Sequence, residues 1–282
     1  MIQRLLAVLL LGVGMASALA QPQSVVVLSL DAPQALAVQL PAHWFAADAG
    51  SDRPAVVLLH GCGGAYDSKG RLGQRFVDYA AMLNAEGWHA LVLDSLTPRG
   101  EKEVCTQRTG TRHITQAQRR LDALGALQWL ATQPGVDRQR LALLGWSNGG
   151  STVLAATNRL HSAVARAVLM PRAAVAFYPG CEAELARRYA STAPTLLLVG
   201  ESDDWTPAQP CRDLAAIAGS GLTLVAYAGA YHGFDSTAPL RVRRDVPNGV
   251  RPGQGVTVGG DTAAREASRR EMLEFLRRQL NR

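Results

Sequence analysis

The run Leu143-Leu144-Gly145-Trp146-Ser147-Asn148-Gly149-Gly150 constrains this chain more than any other stretch. An apolar segment ends in Gly-x-Ser-x-Gly, and a helical pattern starts at once. That order predicts a strand, a sharp turn at the serine, and a helix folded back beside the strand. The serine backbone is strained in such a turn. Side chains two residues to either side would collide with the neighbouring strand and helix, which is why glycine stands there. Short patterns arise by chance, so the rest of the chain must supply what this turn needs.

Apolar, β-branched runs alternate with helical patterns along the sequence. Candidate strands are 24–30, 35–40, 55–60, 89–94, 140–145, 173–178, 195–200 and 222–228. The central ones are short continuous apolar runs, as parallel strands covered on both faces require. Helical spacing predicts helices over 71–86 (Phe76, Tyr79, Ala80, Leu83), 115–131 (Leu121, Leu124, Leu127, Leu130) and 261–280 (Met272, Phe275, Leu276, Leu280). The first two strands form a hairpin; after them, strand and helix alternate. This order predicts an α/β fold with a mostly parallel sheet of about eight strands and helices on both faces. No linker or repeat divides residues 21–282, which read as a single domain. One long segment, 235–260, is rich in Gly, Pro and Arg and is expected to be an irregular loop near the functional face.

Residues 1–20 read as a secretory signal peptide. Arg4 is the positive n-region, Leu5–Ala16 the apolar core and Ala18-Leu19-Ala20 the cleavage site. The apolar run is short for a membrane span, and no cysteine follows the cut to carry a lipid. The expected location is therefore periplasmic or secreted, without stable membrane insertion after cleavage. The formal charge is +6, almost all of it from arginine, since Lys69 and Lys102 are the only lysines. The densest cluster, Arg241, Arg243 and Arg244 beside Asp245, is no basic stripe with interleaved aromatics, so nucleic acid is not an expected partner. It suits a solvated loop, or attraction of an anionic substrate. Cys62, Cys105, Cys181 and Cys211 match no zinc or Cys-x-x-Cys pattern, and an even count in an exported chain points to disulfides. Four cysteines allow three pairings.

A serine hydroxyl is a weak nucleophile at neutral pH. It needs a base, and the base needs an acid to orient it. With this turn the chain order should be Ser, then Asp or Glu, then His. Strand 195–200 is followed by Gly200-Glu201-Ser202-Asp203-Asp204-Trp205-Thr206-Pro207, and strand 222–228 by Gly229-Ala230-Tyr231-His232-Gly233-Phe234. His232 is the candidate base; His161 is the only other histidine beyond Ser147 and falls at the end of the nucleophile helix. Asp203 fits Gly-x-x-Asp spacing as the acid, with Asp204 its adjacent rival. The oxyanion of a tetrahedral intermediate needs backbone donors. Asn148 N–H follows the nucleophile, and the loop His60-Gly61-Cys62-Gly63-Gly64 offers Cys62 N–H. Those glycines do not end in Gly-Lys-Ser/Thr, which excludes a phosphate loop. Cys62 sits where an oxyanion loop belongs and not on an elbow, which argues against a cysteine nucleophile. No metal or organic cofactor is implied.

These pieces together resemble the dienelactone hydrolase family of the α/β-hydrolase superfamily. The resemblance rests on 58–64, 94–100, 145–150, 176–180, 200–207 and 231–234, in the right order over most of the chain. It implies hydrolysis of a small carboxylic ester or lactone by Ser147, His232 and Asp203 through an acyl-enzyme. The best-known members carry cysteine at the elbow, where this chain has serine, so general ester chemistry is expected over dienelactone itself. A serine peptidase of the same superfamily and a non-catalytic binding protein on this fold are the alternatives. The implied strand neighbours pair Cys62 with Cys105 and Cys181 with Cys211. Tyr66, Trp146, Tyr178, Trp205 and Phe234 are candidates to line the substrate pocket, Trp205 foremost, though each also suits core packing. Arg99 suits a carboxylate-bearing substrate or a structural ion pair.

Overall fold

Eight strands form one sheet in the order β1-β2-β4-β3-β5-β6-β7-β8. They are β1 (Gln23–Leu28), β2 (Gln39–Phe45), β3 (Arg53–Leu59), β4 (His89–Leu93), β5 (Val136–Trp146), β6 (Ala173–Phe177), β7 (Thr195–Gly200) and β8 (Leu222–Tyr227). The computed structural model describes residues 22–47 and 52–281, and the expected signal peptide lies outside the described residues. β2 pairs antiparallel with β1 and β4, and every later neighbour pairing is parallel.

Side chains alternate across β3, as the two-residue strand period requires. Ala55, Val57 and Leu59 join a core under α2 (Gln116–Leu130), α3 (Asn148–Thr157) and α6 (Ala208–Ala218). Val56 and Leu58 join the opposite core, under α1 (Gln74–Ala85) and α7 (Thr262–Leu280). Both faces are covered, so the central strands are apolar throughout. Burial of side chains such as Leu83 and Leu276, each fully inaccessible, stabilises the fold by roughly 1.5–3 kcal/mol apiece. Two short helices, α4 (Ser162–Ala165) and α5 (Glu182–Ala186), lie in the connections around β6.

Two expectations need correction. The second strand runs over 39–45, not 35–40; residues 34–36 form a 3-10 turn instead. Pro41 lies inside β2, where that strand pairs only with β1, before the first β2–β4 pair at Ala42–Leu93. A missing N–H is tolerated there, and the Pro41 carbonyl still accepts from Asp94 N–H at 2.9 Å. Segment 235–260 is also more ordered than its composition implies. It contains β9 (Arg241–Arg243) and β10 (Val256–Val258), an antiparallel pair whose Val258 bridges to His232.

Candidate active site

The carboxyl ends of the parallel strands converge on one edge of the sheet, and the sequence motifs sit there. β5 ends at Trp146, and Ser147 turns with φ 54° and ψ −117°, a conformation rare for a residue with a side chain. Ser147 N–H donates to Phe177 O at 2.9 Å, which fixes the turn against β6. A Cβ on Gly149 would lie 2.0 Å from the Leu59 carbonyl oxygen, and one on Gly145 would lie 2.3 Å from the Gly149 carbonyl oxygen. Contacts that short forbid any side chain, so both glycines are required by close backbone approach.

His232 follows β8, and its Nε2 lies 2.8 Å from Ser147 Oγ. Its Nδ1 lies 2.8 Å from Asp203 Oδ2. A carboxylate accepts only, so Nδ1 carries the hydrogen and Nε2 is left to accept from the serine hydroxyl. Asp203 Oδ1 accepts from Trp205 N–H and Thr206 N–H, both at 2.8 Å, which fixes the carboxylate at the loop. Thr206 Oγ1 lies 3.0 Å from Asp203 Oδ2 and donates to Tyr178 O at 3.0 Å. The Tyr178 and Trp205 rings flank the imidazole, each with its centroid 4.6 Å away. Asp204 faces elsewhere: it accepts from Thr257 N–H and Thr257 Oγ1 at 2.7 and 2.8 Å, tying β10 to the acid loop. His161 bonds Glu184 at 2.9 Å and has no hydrogen bond to Ser147.

The loop after β3 passes directly over the serine. A Cβ on Gly61 would lie 3.5 Å from Ser147 Cβ. Among the described residues, neither Cys62 N–H nor Asn148 N–H has a protein acceptor. Both residues line the cleft that opens onto Ser147. Cys62 is bonded to Cys105, and Cys181 to Cys211, so none of the four cysteines is a free thiol. The first bond fastens the loop to segment 104–105, where Val104 N–H donates to Cys62 O at 2.8 Å.

Behind His232 lies a buried hub that the sequence reading missed. Asp235 is 1 % exposed. Its Oδ1 accepts from Tyr178 OH at 2.6 Å and Arg75 Nη2 at 3.2 Å; its Oδ2 accepts from Tyr79 OH and Trp146 Nε1, each at 3.0 Å. Burial pushes the Tyr79 and Tyr178 hydroxyls well above their ordinary range, which keeps both as donors. The hub joins α1 and the residue before Ser147 to the loop that carries His232.

The cleft measures about 1030 Å³. Trp205 stands in its wall beside Thr206, Ile114 and Val250, so segment 235–260 does line it. The other aromatic candidates do not. Trp146 and Phe234 are core residues. Tyr178 is turned inward by its bond to Asp235, and Tyr66 is directed to His43 at 3.2 Å. Arg99 is an ion-pair residue, held between Asp31 and Asp122 at 2.8 Å each. Arg243 pairs with Asp245 at 2.5 Å and lies 5.7 Å over the Trp205 ring. Among the described residues, no group of three His, Cys, Asp or Glu side chains is spaced to hold a metal ion.

A mostly parallel eight-stranded sheet, with a serine raised at the end of its central β5, defines an α/β-hydrolase. More narrowly, the chain belongs to the dienelactone hydrolase family, whose model matches residues 42–280. A search of curated proteins found no match. Among solved structures the chain is similar to Thermogutta terrifontis esterase 2 phosphorylated by paraoxon. Identity is 20 %, the TM-score is 0.64, and the match covers 93 % of this chain and 95 % of that one. It is similar also to a candidate dienelactone hydrolase from Klebsiella pneumoniae subsp. pneumoniae MGH 78578. Here identity is 18 %, the TM-score is 0.65, and coverage is 90 % and 98 %. At these identities the likeness is one of fold.

Proposed function

We propose that this protein hydrolyses small carboxylic esters or lactones through Ser147, His232, Asp203 and an acyl-enzyme. The observation that carries the reading is the continuous hydrogen-bond chain from Ser147 Oγ through His232 to Asp203, 2.8 Å at each link. Membership of the dienelactone hydrolase family and the esterase neighbours support the same chemistry. Ser147 Oγ attacks the carbonyl carbon while its proton passes to His232 Nε2. Cys62 N–H and Asn148 N–H receive the oxyanion. The tetrahedral intermediate collapses, the C–O bond breaks, and His232 gives the proton to the leaving alkoxide. Water then attacks the acyl-enzyme with His232 as base, releasing the acid and restoring Ser147. Asp203 keeps the imidazole in the reactive tautomer and stabilises its charged form. Turnover of p-nitrophenyl acetate and butyrate tests the reading: Ser147→Ala should abolish it with the fold intact, and undiminished turnover would refute it.

Residues 21–282 are taken as a single domain, and residues 1–20 as a cleaved signal for export. Two disulfides favour an oxidising compartment. No helix among the described residues is long and apolar enough to cross a membrane. N-terminal sequencing of protein from the exporting cell should begin at Gln21; a mature chain beginning at Met1 would overturn the assignment.

A further inference from the structure

Arg119 of α2 is 1 % exposed, yet it has no ion-pair partner among the described residues. Asp122, the nearest candidate in sequence, is engaged by Arg99 at 2.8 Å. Arg119 instead donates to two neutral acceptors. Nη2 reaches the His60 carbonyl at 2.7 Å, and Nη1 reaches Asn148 Oδ1 at 2.5 Å. Its Nε has no hydrogen-bond partner within the protein, and Asp122 and Asp94 act on the guanidinium only through space. Burying a guanidinium in this way is costly, and a neutral donor could bridge the same two acceptors more cheaply. Burial pushes its pKa down to about 10, so the group still carries its charge at neutral pH.

The two acceptors are the informative part. His60 opens the loop that presents Cys62 N–H, and Asn148 owns the second free N–H. The same turn of α2 holds Asn148 a second time, through Gln116 Nε2 to Asn148 O at 3.1 Å. We propose that Arg119 is the positioning residue of the oxyanion hole: one rigid guanidinium sets the spacing of the Cys62 and Asn148 donors and places a fixed positive charge behind them. The charge stabilises the oxyanion more than the neutral ester, so the effect belongs to the transition state. The inference rests on the acyl-transfer reading of Ser147.

The test compares Arg119→Met, Arg119→Lys and Arg119→Gln on p-nitrophenyl butyrate, with kcat taken per site titrated by a fluorophosphonate. If the wild-type protein neither turns over ester nor takes the label, the acyl-transfer reading fails before Arg119 is reached. Otherwise Arg119→Met should lower kcat on the order of 10²-fold while KM moves less than about threefold. Affinity for a trifluoromethyl ketone should fall in parallel. Ser147 Oγ adds to that ketone's carbon, its proton passes to His232, and the ketone oxygen becomes an oxyanion. Arg119→Lys keeps the charge and should stay within about tenfold of wild type, well above Arg119→Gln. A merely structural role would reduce the number of titratable sites and leave kcat per site and ketone affinity unmoved. An Arg119→Met kcat within about threefold of wild type, or a loss confined to KM, overturns the proposal. Should that variant not fold, equal activity of the Lys and Gln variants overturns it instead.

Discussion

Behind the base, Asp235 is buried with four donors shared between its two oxygens. Behind the loop that carries Cys62, Arg119 is buried with two neutral acceptors and no protein partner at Nε. Both are ionised groups taken out of water within reach of Ser147, and they are treated in opposite ways. A fully satisfied carboxylate stiffens what surrounds it, because its donors come from three places, α1, the end of β5 and the residue after β6. Arg75, paired with it at 3.2 Å, offsets its charge locally. The Arg119 guanidinium, which Asp122 and Asp94 offset only through space, contributes less to folding and keeps part of its field for negative charge that develops nearby. On the proposed mechanism, the His232 side is thus built for geometry and the Cys62–Asn148 side for electrostatics.

Four substitutions test that contrast, beginning with the largest effect. On the base side, Asp203→Asn should lower kcat about 10⁴-fold, because the amide favours the wrong imidazole tautomer. Asp204→Asn should stay within about tenfold of wild type, since its carboxylate serves only Thr257. Steady-state kinetics on one ester separates the two, and similar losses for both would erase the distinction between adjacent acids. Next, Asp235→Ala strands two tyrosine hydroxyls, an indole N–H and Arg75. Urea unfolding should report a loss of roughly 3–5 kcal/mol. Its kcat per titrated site should fall less than that of Arg119→Met; the opposite ranking would exchange the roles of the two sides.

The smallest effect concerns His60, which is buried and held well below the ordinary histidine range, first by desolvation and then by Arg119. Its Nδ1 lies 2.7 Å from the Gly61 carbonyl and so donates, while Nε2 accepts from Ser95 N–H at 3.1 Å. The folded ring stays neutral where the unfolded one, titrating near 6.5, takes up a proton. Its contribution to stability is therefore complete above about pH 6.5 and declines below it. Between about pH 7.5 and about pH 5.5 the wild type should lose about 1.4 kcal/mol more than His60→Gln. Equal slopes for the two proteins would mean that His60 titrates freely.

Much of this site is legible in the sequence, and the reason is local. The strand before Ser147, the glycines around it and the helix after it are all dictated by residues within a few positions of one another. Asp203 and His232 are readable because chain order and strand ends limit the choice to one loop each. Arg119 and Asp235 are not readable, because their roles depend on partners far along the chain. In sequence Arg119 is one of two adjacent arginines on an ordinary helix. Neighbouring positions point in different directions, so Arg119 is buried at the oxyanion loop while Arg120 lines the cleft. Asp235 reads as the first polar residue of a loop. Tyr178 reads as a pocket wall because nothing local shows that Asp235 waits to receive its hydroxyl. The β9–β10 pair is hidden for a related reason: strands of three residues carry no periodicity, and Asp204 helps to hold them from another loop.

Ser147 is the group proposed to become acylated, and its reactivity is the most direct test. Reaction with a fluorophosphonate ester, followed by digestion and peptide mass spectrometry, locates the reactive atom without depending on the choice of substrate. The expected result is a single adduct on the peptide carrying Ser147, formed in step with complete loss of ester turnover. An adduct on another residue, or full turnover with Ser147 modified, would contradict it.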